Sequence, residues 1–449
     1  MLQSLRRAIV LPDLRQRILF TLAMLLIFRF IAHIPVPNIN PGALGALRDA
    51  LAGNQLAQLL NLFAGGALQQ LSVASMGVYP YITAQIIIQL LTPLVPALEQ
   101  MQKEGEQGRQ RINRIMFWLA VPLAYLQAFG QTRTLEIATT TTSLFRSPFD
   151  LVNNFLPTFT VLTCMVAGTM LLIWLGEQIQ ERGIGNGISM IIFAGIVSGL
   201  PGVIYQAIST AQVGAEQVIG IIVFVLIALL TIVGIVLVNE GQRRVQVQYA
   251  KRVRGNRVYG GQASHIPLKV NMAGMIPLIF AQSIIIFPGT LASYACPEQV
   301  AAPGSGLLKQ AACGTYQLFS PQSNTGGSPI YSILLFLLVV GFSYFYTMVI
   351  FQQQNIPDSL QKNGGFIPGI RPGKKTEEYL SKVVYRITLV GALFLGLIAV
   401  LPFITQAVTG VQIGLGATSL LIVVGVAIDT MRQIEAQLVM RNYEGFITK

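Results

Sequence analysis

Of 449 residues, 53% are apolar and only 11% charged, against about 25% charged in a typical soluble domain. That balance excludes the water-soluble classes, and the net charge of +12 must be read against a bilayer before nucleic acid is invoked. Apolar stretches able to cross a hydrocarbon core of about 30 Å, roughly 20 residues as helix, recur along nearly the whole length.

At the N-terminus, "LRRAIVLPDLRQR" places Arg6 and Arg7 before an apolar run, as a secretory signal would. No small-residue cleavage site follows, and "HIPVPNINP" comes next, so the segment reads as a retained span with an amphipathic lead-in at the membrane surface. Ten spans are predicted, at 18–36, 76–95, 112–129, 155–176, 188–208, 218–238, 270–291, 330–350, 383–400 and 413–428. They are continuously apolar, whereas a barrel strand alternates over about ten residues, so the fold class is all-α and polytopic.

The basic residues fall on alternate connections. Of the 30, only Arg48, Arg133, Arg146 and Lys309 lie on one side, and Arg29 sits inside the first span; the rest share the side of both termini. Lys and Arg accumulate on the cytosolic side of a membrane protein, so both termini are expected in the cytosol. The same rule accounts for the net charge without a nucleic-acid ligand.

Ahead of the second span, "NLFAGGALQQLSVASMG" is apolar but too short to cross, and Gly65 and Gly66 interrupt it. Such a segment is tolerated at membrane depth only against protein or a water cavity. The second span opens with "GVYPYITAQIII" from Gly77, and the seventh with "GMIPLIFAQSII" from Gly274, identical at seven of twelve positions without a gap. Five spans separate the copies, so they cross the membrane in opposite directions. The chain divides into halves 1–210 and 211–449, related by a pseudo-two-fold axis in the membrane plane, an arrangement that puts the functional site between the halves.

Ion-coupled transporters and channels both use that plan. A coupled transporter carries ionisable groups at depth, whereas here Arg29 can snorkel to the outer interface and Glu177 and Asp429 fall near span ends. His33 and His265 lie at or beyond span boundaries and point to no metal site. No phosphate-binding loop occurs, so neither cofactor nor catalytic residue is expected, and any energy input comes from a partner. A pore with an apolar throat fits best; an inverted-repeat secondary solute transporter is the alternative.

Two loops on the basic side exceed what topology needs. Within 240–269, "RRVQVQYAKRVRGNRVYGG" alternates like two strands around a turn at Gly255 and Asn256, crowding Arg252, Arg254 and Arg257 at its tip. Within 353–380, "FIPGIRPGKK" holds Arg371 in a proline-stiffened turn. On the other side, Cys296 and Cys313 share a long loop. In an oxidising compartment they could close a ring of about 18 residues, contributing roughly 3 kcal/mol. Cys164 lies inside the fourth span as a small apolar residue.

Several long stretches carry a family resemblance: "PYITAQIIIQLLTP", "KEGEQGR", "ERGIGNGIS", "YAKRVRGNRVYGGQASHIPLKVNMAGMIP", "GGFIPGIRPG" and the "GGAL" at Gly65. Together they resemble the SecY family, channel subunits of the bacterial and plastid protein-translocation complex, over essentially all ten spans. The resemblance implies ten helices in two inverted halves around an hourglass pore that passes unfolded preproteins and releases hydrophobic segments sideways into lipid.

It also implies roles for particular residues. The pore ring would be Ile82, Ile86, Ile188, Ile192, Ile279 and Ile422, an apolar gasket of stiff β-branched side chains that excludes water when empty. The plug would be a short helix within 61–73, centred on Leu62, Phe63, Ala64, Gly65, Gly66, Ala67 and Leu68. The second and seventh spans would form the lateral gate, with Gln85, Gln282, Ser283 and Phe287 as contacts. Ser283 replaces Ile86 in the second copy of the repeat, so the halves contribute unequally. Arg252, Arg254, Arg257 and Arg371 would dock the SecA motor ATPase and the ribosome. The implied partners are SecE, SecG, SecA, the ribosome, an unfolded preprotein with its signal sequence, and the lipid of a bacterial plasma or thylakoid membrane. A motor-independent insertase would differ chiefly in lacking the docking loops.

Overall fold

The structure, a computed structural model, describes residues 11–53, 61, 64–138, 144–147, 149, 153–211, 215–249, 252–254, 257–259, 263–295, 307–319, 329–362, 364–409 and 417–447. In chain order these form α1 (Pro12–Ile31), α2 (Ala43–Gly53), a 3-10 turn (Ala67–Gln70), α3 (Tyr79–Leu91), α4 (Pro96–Lys103), α5 (Glu106–Ala138), α6 (Phe155–Arg182), α7 (Gly187–Ala211) and α8 (Ala215–Glu240). The second half continues with β1 (Gln242–Tyr249), β2 (Arg252–Arg254), β3 (Arg257–Tyr259), β4 (Ala263–Lys269), α9 (Ile276–Ala295), α10 (Leu307–Phe319), α11 (Pro329–Gln353), α12 (Ile356–Lys362), β5 (Gly365–Phe366), α13 (Lys374–Thr409) and α14 (Ala417–Ile447).

Each predicted span meets one helix: α1, α3, α5, α6, α7, α8, α9, α11, α13 and α14. Among the described residues, α5, α6, α8, α11, α13 and α14 are each long and apolar enough to cross a bilayer, and α3 with α4 makes a further pair bent by 104°. Pro201 and Pro288 sit inside α7 and α9, where a missing N–H and the ring clash interrupt a helix. The bilayer is legible on the outside of the bundle. Ile219, Leu230 and Leu237 of α8 are each more than 60% exposed, which water would not tolerate as a continuous face.

Several boundaries differ from the predicted spans. The lead-in from Pro12 is part of α1 itself, with proline at the helix start, where its missing N–H costs nothing. Residues 270–275 precede α9 instead of belonging to it, and α5, α13 and α14 extend well beyond their apolar cores. Hydropathy marks where lipid begins, whereas a helix continues as long as its polar residues form helical turns.

The repeat is exact in structure where it is strongest in sequence. Gly77 (φ 57°) and Gly274 (φ 64°) are both left-handed, a conformation glycine adopts without a Cβ clash. Two residues later, at equivalent repeat positions, α3 and α9 begin, each with proline in its second position, Pro80 and Pro277.

Contacts sort the connections onto two faces. On one, Arg432 of α14 bonds Glu240 at 2.8 Å, Gly185 N donates to Gln433 at 2.9 Å, and Ile184 N donates to Thr21 Oγ1 of α1 at 3.1 Å. On the other, Arg146 N donates to the Asn38 carbonyl and Val36 N to the Leu71 carbonyl, while Arg133 reaches the Phe149 carbonyl. The grouping follows the division of basic residues read from the sequence.

On the basic face the two long loops are one unit. β1 pairs antiparallel with β4, from Gln242 opposite Lys269 to Gln248 opposite Ala263, and its other edge takes β5, with Tyr249 opposite Gly365. Alternation along β1 buries Val245 and Val247, which pack with Leu268, Phe351, Leu360, Ile367, Leu380 and Val384. The predicted hairpin forms at the tip, where Arg254 opposes Arg257.

Candidate functional site: a central apolar constriction

Six isoleucines from four helices lie in or against one buried cluster. Ile82 and Ile86 come from α3, Ile192 from α7, Ile279 from α9 and Ile422 from α14, none more than 6% exposed, all in one buried cluster. Ile188 of α7 packs against that cluster, half-buried. Spacing of i, i+4 puts each pair on one helix face, and the fold turns those faces toward each other. These six side chains offer hydrocarbon only, the chemistry that a dewetting constriction requires.

The segment after α2 lies against this cluster. Ala64, Ala67, Leu68 and Leu71 are 0–1% exposed and belong to the same core; Leu62 and Phe63 lie outside the described residues. Among the described residues of this segment, Ala67–Gln70 form one 3-10 turn, with Gly65 (φ 64°), Gly66 (φ 83°) and Leu71 (φ 44°) left-handed around it. The glycines therefore serve a specific backbone path, beyond simply weakening a helix. Gly65 lies backbone to backbone against Gly195 of α7. Arg29, expected only to snorkel, donates from Nη1 to the Gly65 carbonyl at 3.4 Å.

Between α3 and α9 the polar contacts differ from those expected. Gln282 and Ser283 are 2% and 4% exposed, yet Gln282 Oε1 and Ser283 Oγ have no partner among the described residues. The Ser283 carbonyl instead accepts from the Tyr79 hydroxyl at 3.5 Å. Gln85 is half-buried, and the side chain of Phe287 lies outside the described residues. The short bond from α3 to the other half is made by Gln89, whose Oε1 accepts from the Tyr346 hydroxyl at 2.8 Å. Within the first half, Gln127 Nε2 donates to Thr83 Oγ1 at 3.1 Å. Gln89 could have been found from sequence, since it lies one turn beyond Gln85 on the same face; nothing local marks Tyr346.

Arg252 and Arg254 lie on β2 and Arg257 on β3; their side chains, with Gly255 and Asn256, are outside the described residues. Arg371 is exposed, in a turn bounded by the left-handed Gly369 and Gly373, and its carbonyl accepts from Thr376 Oγ1 at 3.0 Å. On the opposite face, Cys313 of α10 is buried and disulfide-bonded, Cys164 is free, and Cys296 lies outside the described residues.

Comparison with known proteins bears on this arrangement. The SecY family model matches residues 72–431. The protein translocase subunit SecY of Thermotoga maritima is 43% identical over 458 residues, spanning 100% of this chain and 98% of that protein. The corresponding subunit of Escherichia coli K12 is 40% identical over 439 residues, 98% of this chain and 95% of that one. Among solved structures, one described as a protein conducting channel superposes with a TM-score of 0.63 at 17% identity, over 95% of this chain and 93% of the other. Sec61 in a canine ribosome–channel complex does so with a TM-score of 0.61 at 18% identity, over 95% and 93%. Full-length similarity at this level, on a helical membrane fold shared with those channels, leads to one conclusion: this chain belongs to the SecY family.

Proposed function

We propose that the chain is the protein-conducting channel subunit of a Sec translocase, passing unfolded preproteins across the membrane and releasing apolar segments laterally into it. One observation supports the reading: six isoleucines from α3, α7, α9 and α14 lie in or against one buried apolar cluster, to which Ala64 and Leu68 of the segment after α2 also belong. The two halves, 1–210 and 211–449, form the jaws. Ile82, Ile86, Ile188, Ile192, Ile279 and Ile422 form the ring, residues 61–73 the plug, and α3 with α9 the lateral gate. The constriction does no covalent chemistry, so the protein acts as a conduit and not as an enzyme.

The work is supplied from the basic face. SecA and the ribosome dock on the β2–β3 tip and the Arg371 turn, which project from a single sheet-based unit, and SecE and SecG complete the complex. The chain sits in a bacterial plasma or thylakoid membrane with both termini in the cytosol, and the Cys296–Cys313 disulfide staples the loop on the far side.

Reconstitution with SecE and SecG in proteoliposomes tests the reading. Addition of SecA and ATP should drive protease-protected import of an unfolded precursor. Absence of import, together with uptake of a small solute driven by an ion gradient, would favour the transporter.

A further inference from the structure

The segment between the basic-face sheet and α9 joins two separate buried clusters. β4 ends at Lys269 and α9 begins at Ile276. Within that segment, Met272 packs against the core of the sheet with Val245, Val247 and Leu268. Its neighbour Ala273 is buried in the same cluster as the isoleucines of the constriction, and Met275 packs against that cluster too. The segment is also pinned on several sides. Val270 N donates to the Gly241 carbonyl at 2.9 Å, extending the β1–β4 ladder by one pair to the end of α8. The Val270 carbonyl lies so close to Gly391 of α13 that a Cβ there would stand 2.6 Å from it. Asn271, 8% exposed, donates from Nδ2 to Asn239 Oδ1 of α8 at 3.0 Å and to the Gly274 carbonyl at 3.1 Å. One amide thus uses both its protons. It fixes the segment to α8, and it closes the turn at the left-handed Gly274 (φ 64°) that leads into α9. The end of α8 is itself held by Arg432 of α14, which reaches the Asn239 carbonyl at 3.2 Å and the Glu240 carboxylate at 2.8 Å.

Resting on the channel reading above, we propose that residues 270–275 are the joint through which docking on the basic face reaches the constriction, and that Asn271 is the positioning residue that keeps this joint rigid. With its amide in place, a displacement of β1 and β4 is carried into α9, and with α9 into Ile279. Without the amide, the turn at Gly274 loses its side-chain bond, glycine adopts many backbone conformations, and the displacement is absorbed in the joint. Removing one partner of a buried hydrogen bond leaves the other unsatisfied, which corresponds to a shift of about 5- to 150-fold between two states.

The test uses the complete complex with SecE, SecG and ATP, and measures import of an unfolded precursor as SecA is titrated. Asn271→Leu keeps the branched shape of the side chain and removes both donors. It should lower the import rate at saturating SecA at least about 5-fold and leave the SecA concentration for half-maximal import unchanged, because the docking surface is untouched. Asn239→Leu should lower the rate in the same way, and the double variant should go no further than Asn271→Leu. Asn239→Asp keeps an acceptor oxygen for the Asn271 amide and should import at nearly the unaltered rate. Three results would each overturn the joint: a raised half-maximal concentration at an unchanged saturating rate, a loss in Asn239→Asp as deep as in Asn239→Leu, or unchanged import in both leucine variants. Assembly with SecE and thermal unfolding, measured on the same preparations, identify a folding defect in Asn271→Leu; in that event the half-buried Asn239, as Leu against Asp, decides by the same readout. Failure of the unaltered complex to import at any SecA concentration would instead count against the channel function.

Discussion

Gly195 and Gly65 show how closely one position can be specified by its neighbour. A Cβ on Gly65 would stand 2.7 Å from Phe28 Cζ and 3.2 Å from the Gly195 Cα, and a Cβ on Gly195 would run into the Gly65 backbone. Small residues let membrane backbones approach this closely, and here the approach holds the segment around Gly65, the plug of the proposed reading, against α7. Gly195→Ala should push the plug from its seat. Overpacking costs about 1–3 kcal/mol, and a coupling of that size corresponds to about a 5–150-fold shift between states. The expected result is higher resting ion conductance in planar bilayers, with import of strong precursors retained; conductance equal to that of the unaltered channel would count against this seating. The "GGAL" motif made Gly65 legible. Gly195 was not, because α7 also contains Gly187, Gly199 and Gly202 and nothing in their spacing says which one meets another backbone. The same limit applies to Gln282 and Ser283: the repeat draws attention to them, but their bonding partners depend on which helices the bundle brings together.

The helices themselves were far more legible. Each predicted apolar run meets a helix, although the second and seventh were read from 76 and 270; in the structure α3 and α9 start at the same repeat position, where the left-handed glycine and the proline act locally. The 3-10 turn at Ala67–Gln70 and the α10 helix were missed, since short segments there follow tertiary contacts and not periodicity. The β1–β5 pairing was missed for a related reason: two residues of β5 carry no strand signal of their own, and they pair only because the loops at 240–269 and 353–380 lie side by side. That pairing carries a prediction. Val247 is 1% exposed in the small core that joins the two loops. Val247→Asp places a charge there without a partner, costing about 3–5 kcal/mol. It should abolish SecA-stimulated import and open the loops to proteolysis, while membrane insertion and association with SecE persist. Loss of association to the same extent would show that the sheet supports the bundle and not only the docking surface.

Orientation in the bilayer follows from charge, and the fold agrees with the sequence on how the ends are sorted. Arg182 and Arg17 line one groove with Gln437 and Met440 of α14, and Arg432 closes onto Glu240 on the same face. Arg133 pairs with Glu136 at 2.9 Å on the other face, close to the Phe149 carbonyl. A membrane protein inserts so that Lys and Arg near its span ends stay in the cytosol, so the proposed orientation puts the face bearing the β2–β3 tip in the cytosol. Trypsin, which cuts after Lys and Arg, reads this directly. In inverted membrane vesicles it should cut the chain at the 252–257 tip, giving two fragments near the middle of the chain. In intact spheroplasts the tip should survive, because the protease cannot reach it, and only sites such as Arg146 and Lys309 stand on the accessible side. A tip cut in spheroplasts would invert the topology. SecA and the ribosome would then face the wrong compartment, and the docking role of Arg254, Arg257 and Arg371 would fall with it.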